Sequence, residues 1–318
     1  MKAAITIAWL LFLASIPLWL GNPYILHVLV ITGIFIVAAI SLNLLLGYAG
    51  QLSLGHVAFF GIGAYASALV SLGFDISFFS LKPKPVWVGM LAGAVAAGLC
   101  GWVIGRLAFK VRGAYFVIVS ISFAEVVHLV AVNWVELTQG PMALNNIPPL
   151  TVFGFSFFKK PENYWLILTV AVVCYVLVRR IVKSKAGRAM IALRENEPLA
   201  TSVGIDVTRT LVLAAVVSAA MAGMAGALYA HYIRIVDHDV FLFIYTVTMV
   251  IMVVTGGKGT LAGPVVGGLV FGLMPEALRA LAVGPEGQWI LYGALMVLVV
   301  YFLPQGIVPA LQARWNRR

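Results

Sequence analysis

The chain of 318 residues is 62% hydrophobic and carries charge at only 10% of its positions, whereas ordinary soluble domains run near 45–50% and about 25%. A water-soluble globular fold is excluded. The formal net charge of +10 raises nucleic acid as a partner, yet basic residues gathered in short loops between apolar runs are an orientation signal of a membrane protein, so no nucleic-acid partner is expected.

A helix needs about 20 mostly apolar residues to cross a ~30 Å hydrocarbon core, and outer-membrane barrels instead show short alternating strands. This chain has long runs, near 3–20, 24–46, 52–72, 86–105, 113–135, 163–178, 208–232, 240–256, 260–282 and 286–303. They predict about ten spans. The first follows Lys2 and looks like a secretory signal, but it is longer than a usual h-region and lacks a clear cleavage site, so it reads as a span. With the N-terminus inside, 15 of the 21 Lys and Arg residues fall on the cytoplasmic side: Lys2, Arg106, Lys110, Arg112, those between 179 and 209, Lys258 and the 314–318 tail. The other side keeps Lys82, Lys84, Lys159, Lys160, Arg234 and Arg279. That bias obeys the positive-inside rule. The expectation is an all-α polytopic protein of a cytoplasmic-type (inner) membrane, a single transmembrane domain over 1–318 with both termini cytoplasmic.

Five glycines interrupt the stretch 43–65, which sets Asn43, Gln51, Ser53, His56 and Tyr65 at or near membrane depth. Non-helical backbone at such depth survives only when buried in protein or lining a cavity, and broken helices commonly build transporter sites. These five are candidate substrate-path residues; the alternative is a plain turn between two close-packed helices. In the fifth run, Glu125 and His128 share a helix face at i and i+3. Ionisable groups within a span are costly and therefore suspect as functional, although a buried pair that locks two helices remains open. The small-xxx-small spacings Gly89/Gly93, Gly101/Gly105, Gly263/Gly267 and Gly268/Gly272 are fully explained by close helix packing.

Two loops are long enough to fold. The outer one, 136–162, contains Gly140, Pro141, Pro148 and Pro149, which rule out a continuous helix; it is read as a rim or gate, with Thr138 and Gly140 as further path candidates. The inner one, 179–207, predicts two short helices. The first covers about 187–196, Pro198 suits the first turn of the second, and Gly204 suits its C-terminal cap. Opposite charges at Arg188, Arg194, Glu195 and Glu197, with Ala189, Met190, Ala192 and Leu193 as the apolar component, have the mixed character of a docking patch. A second glycine-rich turn, 255–268, loosely echoes GYAGQLSLG and faces the same side, which hints at a parallel internal repeat.

Catalytic signatures are missing. GGKGT lacks the first glycine and the Ser/Thr of a phosphate-binding loop, GIGAYA has no strand before it, and no HExxH, GxSxG or clustered Cys/His pattern occurs. Cys100 and Cys174 lie in apolar runs and read as buried free thiols. No cofactor or metal is expected, and any energy for active transport comes from elsewhere.

Four segments in order, SLNLLLGYAGQLSLGHVAFFGIGAYASAL, KVRGAYFVIVSISFAEV, GRAMIALRENEPLATSVGID and VVTGGKGTLAGPVVGG, closely resemble LivM-type permeases of branched-chain amino-acid ABC importers over roughly 30–300. The resemblance implies a type II importer-like permease, a homologous second permease subunit, two cytoplasmic ATP-binding subunits and a periplasmic substrate-binding protein. It also implies an ATPase-coupling element carrying Gly187, Arg188, Arg194, Glu195, Asn196, Glu197 and Gly204. The outer loop departs from the family's TGGxDGLxGIP by reading TQGPMALNNIP at 138–148. Permeases of this family also serve urea, amides and other amino acids, so hydrophobic amino acids are the favoured substrates among several. An ion-coupled carrier or channel, with Glu125 and His128 holding the ion, is the rival reading. An intramembrane enzyme would lack a nucleophile and base set.

Overall fold

The computed structural model describes residues 13–19, 21–76, 79–109, 114–152, 155–280 and 284–316. Most of the first apolar run, Lys2, Lys110, Arg112, Arg317 and Arg318 lie outside these residues. Residues 13–19 (α1) are helical and are followed by α2 (Pro23–Asn43), α3 (Val57–Leu72), α4 (Val86–Ala108), α5 (Ala114–Asn133) and the single turn α6 (Val135–Thr138). Then come α7 (Lys160–Lys183), α8 (Lys185–Glu195), α9 (Glu197–Ser202), α10 (Val207–Ile233), α11 (Phe243–Gly256), α12 (Gly263–Ala280), α13 (Pro285–Phe302) and α14 (Ile307–Asn316).

The protein is an all-α integral membrane protein; among the described residues, five helices are long and apolar enough to span: Pro23–Tyr48, Val86–Ala108, Tyr115–Asn133, Lys160–Lys183 and Val207–Ile233. Shorter apolar helices occur at Val57–Leu72, Phe243–Gly256 and Gly263–Met274. Fourteen residues in α11 rise only about 21 Å, and the 16 of α3 about 24 Å, less than the ~30 Å core. Both abut the glycine-rich turns. Two small antiparallel ribbons, absent from the sequence reading, complete the fold: β1 (Phe74–Ile76) with β2 (Phe79–Leu81), and β3 (Thr151–Val152) with β4 (Phe155–Ser156).

α3, α4 and α10 pack with almost no side-chain spacer between them. A methyl group at Gly93 would sit 2.5 Å from the Gly63 carbonyl oxygen, and one at Gly223 would sit 2.8 Å from that of Gly93, so only glycine allows the three backbones to meet. On the other flank, α12 approaches α2 through Gly272, where a methyl would meet Thr32 Oγ1 at 2.6 Å. The expected packing role of these glycines is what the helices use. α2 and α10 are the buried centre, 72% buried each over their most apolar stretch, whereas α5 and α7 reach 22% and 17%. The outer loop is irregular as its prolines require, with a 3-10 turn at Gly140–Met142 before β3.

Candidate transport path and coupling surface

α2 does not stop cleanly. It expands by one residue per turn over Leu44–Tyr48, where the Ala49 N–H reaches back to Leu44 O (3.2 Å), a distortion that frequently marks functional positions. Gly50 then takes φ +73°, which favours glycine because a Cβ would clash there, and the chain turns into α3. This break is buried in protein. Asn43 is 1% exposed: its Nδ2 donates to Thr260 O (2.9 Å) and its Oδ1 accepts from the Gly259 N–H (2.9 Å). The second glycine-rich turn therefore lies directly against the first, and both amide atoms of Asn43 are committed to that junction rather than to an open path.

His56, fully buried, has Nε2 at 2.8 Å from Ser41 Oγ. Because the Ser41 hydroxyl donates to Ala38 O (2.6 Å), the imidazole is the donor, which leaves His56 Nδ1 without a partner. Ser218 ties the same spot to α10 by donating to Ser41 O (2.6 Å). Ser53 is also buried, beside the Ser120 hydroxyl that accepts from the Leu54 N–H at 3.1 Å. Gln51 is half-buried, with its N–H on Leu45 O (3.0 Å).

The inner loop forms the predicted helix pair with shifted bounds. Ser184 caps α8 by accepting from the Gly187 N–H (3.4 Å), and Asn196 caps α9 by accepting from the Leu199 N–H (3.0 Å). Gly204 ends the pair at φ +86°, as a C-terminal cap does. Arg188 points outward, its Nη1 on Lys183 O (3.2 Å). Arg194 does something the sequence reading missed. Its Nη1 donates to Gly47 O (2.5 Å), inside the broken turn, while its other side pairs with Glu195. A Cβ at Gly50 or at Gly259 would each lie 2.7 Å from the Arg194 side chain. The guanidinium thus sits where both glycine-rich turns and α8 converge, on the Gly47 carbonyl at the negative end of the α2 dipole.

The expected docking patch needs correction. Met190 is fully buried and Leu193 is 7% exposed; both belong to the core, because positions 187, 190 and 193 share one helix face. Gly187 is buried on that face too. The outward apolar groups are instead Leu199 (63% exposed) and Val203 (71%), which the sequence reading did not single out. Glu195 stays outward, and Glu197 opens α9.

Midway along α5, Glu125 and His128 do share a face, with His128 Nδ1 3.4 Å from Glu125 Oε1. The Glu125 side chain is 65% exposed on an otherwise apolar helix. The structure adds neighbours with no sequence signal: the His238 ring stacks on His128 at 5.7 Å, and Asp239 flanks His238. Tyr65 is buried, stacks on Phe241 at 5.7 Å, and leaves its hydroxyl unpartnered. Among the described residues no group of three His, Cys, Asp or Glu side chains could hold a metal. Thr138 and Gly140 are held in the turn that follows α5. The Thr138 hydroxyl lies 2.7 Å from both Ala131 O and Trp134 O and accepts from the Gly140 N–H (3.3 Å), and Gly140 has φ +50°. They close the end of α5.

The family of branched-chain amino-acid transport system permease components matches residues 24–300. The chain is 30% identical, over 87% of its length and 68% of the relative's, to the high-affinity branched-chain amino acid transport system permease protein LivM of Salmonella typhimurium. It is 28% identical to LivH of the same organism, over 85% of this chain and 89% of that one. A probable branched-chain amino acid transport permease protein LivM of Methanocaldococcus jannaschii is 25% identical over 87% and 91%. No solved structure matches.

Proposed function

The chain belongs to the branched-chain amino-acid transport system permease family, and from that premise we propose that it is the membrane subunit of an ATP-driven importer. It pairs with a homologous second permease and lacks an ATPase site of its own. Two ATP-binding subunits dock on the helix pair 185–202 from the cytoplasm, and a periplasmic binding protein delivers branched-chain or other hydrophobic amino acids at the opposite end. The observation that carries this reading is the Arg194 junction, where α8 is bonded to the first glycine-rich turn and packed against the second, which Asn43 ties to the first. A helix that merely set topology would have no need of such a link. Motion imposed on α8 and α9 from outside would reach the broken segment of α2 and, through Asn43, the turn before α12. Interfaces and packed cores have discrete arrangements, so a small shift there is amplified.

On this proposal Glu125 and His128 line the path where α5 is uncovered by the chain itself, with Tyr65 buried behind Phe241. A span that exposes a carboxylate is stable only if that face meets protein or water rather than lipid.

The test is co-purification and reconstituted uptake of the assembled importer. Leu199→Asp and the combined Arg188/Glu195/Glu197 alanine variant should insert normally, keep the second permease, and lose both ATPase recovery and uptake. Normal ATPase recovery in both would retire the docking assignment. Accumulation by the chain alone on a proton gradient would favour the carrier reading. Orientation is checked separately: a cysteine at Asn145 should be labelled from the periplasm and one at Ser184 from the cytoplasm.

A further inference from the structure

At the end of the bundle opposite the Arg194 junction, a pocket of about 280 Å³ opens among the first turns of α2 and α7, the C-terminus of α10 and Pro149, Phe157 and Phe158 of the outer loop. Its walls include His27, Phe157, Lys160, Asn163, Tyr232 and Arg234, and none of its lining residues is acidic. No candidate path residue takes part. The neutral polar groups are organised by one another: His27 Nδ1 lies 2.7 Å from the Tyr232 hydroxyl with the rings stacked at 5.5 Å, and Asn163 Nδ2 donates to Phe157 O (3.0 Å) and Lys159 O (3.1 Å). Arg234 is held from behind, its Nε donating to Ile147 O at 3.3 Å. Among the described residues, no salt bridge joins Lys160 or Arg234 to a carboxylate.

Two cations facing a polar hollow without a carboxylate attract an anion, and the surroundings say which kind. Trp19, Tyr24, Phe158 and Trp165 are all exposed at this end, as aromatic rings are at the membrane–water interface. Below Trp165, α7 exposes Val173, Val176 and Leu177 along one strip, an apolar surface running toward the other end. A charged pocket at the interface above an apolar strip matches a molecule with an anionic head and a hydrocarbon body.

We propose that this pocket holds the phosphate group of an anionic membrane phospholipid, Lys160 and Arg234 taking the phosphate oxygens while an acyl chain lies along Trp165, Val173 and Leu177. The site does not depend on what the chain transports. It also accounts for two cations on the side where the orientation bias leaves few.

Native mass spectrometry of the full-length chain with its partners, released from membranes containing phosphatidylglycerol, reads the site directly. The wild-type chain should retain one phosphatidylglycerol that the Lys160→Ala/Arg234→Ala variant loses, and titration into phosphatidylcholine nanodiscs should show affinity for phosphatidylglycerol falling about tenfold or more. Lys160→Arg/Arg234→Lys keeps both charges and should keep the lipid, which separates lost binding from lost folding. Equal lipid retention by the alanine variant overturns the proposal. Displacement of the lipid by inorganic phosphate at equal concentration would make it a free-phosphate site, and displacement by leucine a carboxylate site for substrate; either result also overturns the lipid assignment.

Discussion

α2 and α10 are as apolar as α5 and α7, and all four are long enough to span, yet the first pair is 72% buried within the chain and the second only 22% and 17%. Hydropathy reports that a helix avoids water, not whether it faces protein or lipid. What separates the pairs is residue size and where the polar atoms lie. α10 brings Gly223 and Gly226 against the backbones of α4 and α3, and the Ser41, His56 and Ser218 groups around α2 hydrogen-bond to one another. α5 and α7 instead present Ile118, Val126, Leu129, Val173 and Leu177 outward. The inner pair is the part that must hold its shape, and the outer pair is the part left for other molecules.

The sharpest break of this comparison is Gly223→Leu. With Gly93 O only 2.8 Å from an added Cβ, the α4/α10 contact has to separate. Overpacking costs about 1–3 kcal/mol and occasionally more, so folded permease in membranes should drop several-fold; a thermal unfolding profile equal to wild type would show that α10 is not fixed at this contact. Next in size is Arg194→Ala. Removing a hydrogen bond to a charged group costs about 1.5–3 kcal/mol, less here because the Arg194 side chain is 33% exposed. Uptake by the assembled importer should fall about tenfold while ATPase recovery stays, since Arg194 faces the turns rather than the proposed docking side. Loss of ATPase recovery along with uptake would return Arg194 to the outer surface.

Glu125→Leu tests the uncovered face of α5 itself. If that face met lipid, removing a carboxylate from mid-span would stabilise the inserted protein by about 2.5–3.5 kcal/mol. If it lines the path or meets the second permease, uptake falls and thermal stability of the separated chain changes little. Stabilisation with unchanged uptake is the outcome that removes Glu125 from the path.

Much of this was legible in the sequence, for reasons that can be stated residue by residue. Long apolar runs located the helices, and Pro198 and Gly204 marked the first turn and the cap of α9 because each limits backbone geometry. The inward face of α8 was readable too: Gly187, Met190 and Leu193 recur at three-residue spacing, and a periodicity test would have moved Met190 and Leu193 from the docking patch to the core. Other features had no local signal. Asn43 meets Gly259 and Thr260 across more than 200 residues, and Arg194 reaches Gly47 across 147; such contacts arise from packing that no window of sequence contains. β1 and β2 are three residues each, too short for an alternating pattern to register.

The smallest expected effect sharpens the comparison from its quiet side. Val173→Ala on α7 and Val37→Ala on α2 delete the same two methyl groups from helices of the same kind, but Val37 is fully buried and Val173 is 60% exposed. Within the bundle the deletion leaves a cavity whose lining loses its van der Waals partners, a loss of about 1–3 kcal/mol. On the outer face lipid tails close over the gap, because they are as apolar as the side chain they replace, and the change should stay within about 0.5 kcal/mol. Thermal unfolding of both variants, as isolated chains and as the paired permease, reads the difference. Val37→Ala should lower the midpoint in both preparations and Val173→Ala in neither. A drop for Val173→Ala that appears only in the paired permease would show that α7 is covered by the second subunit, which would also close the lipid-facing strip below Trp165.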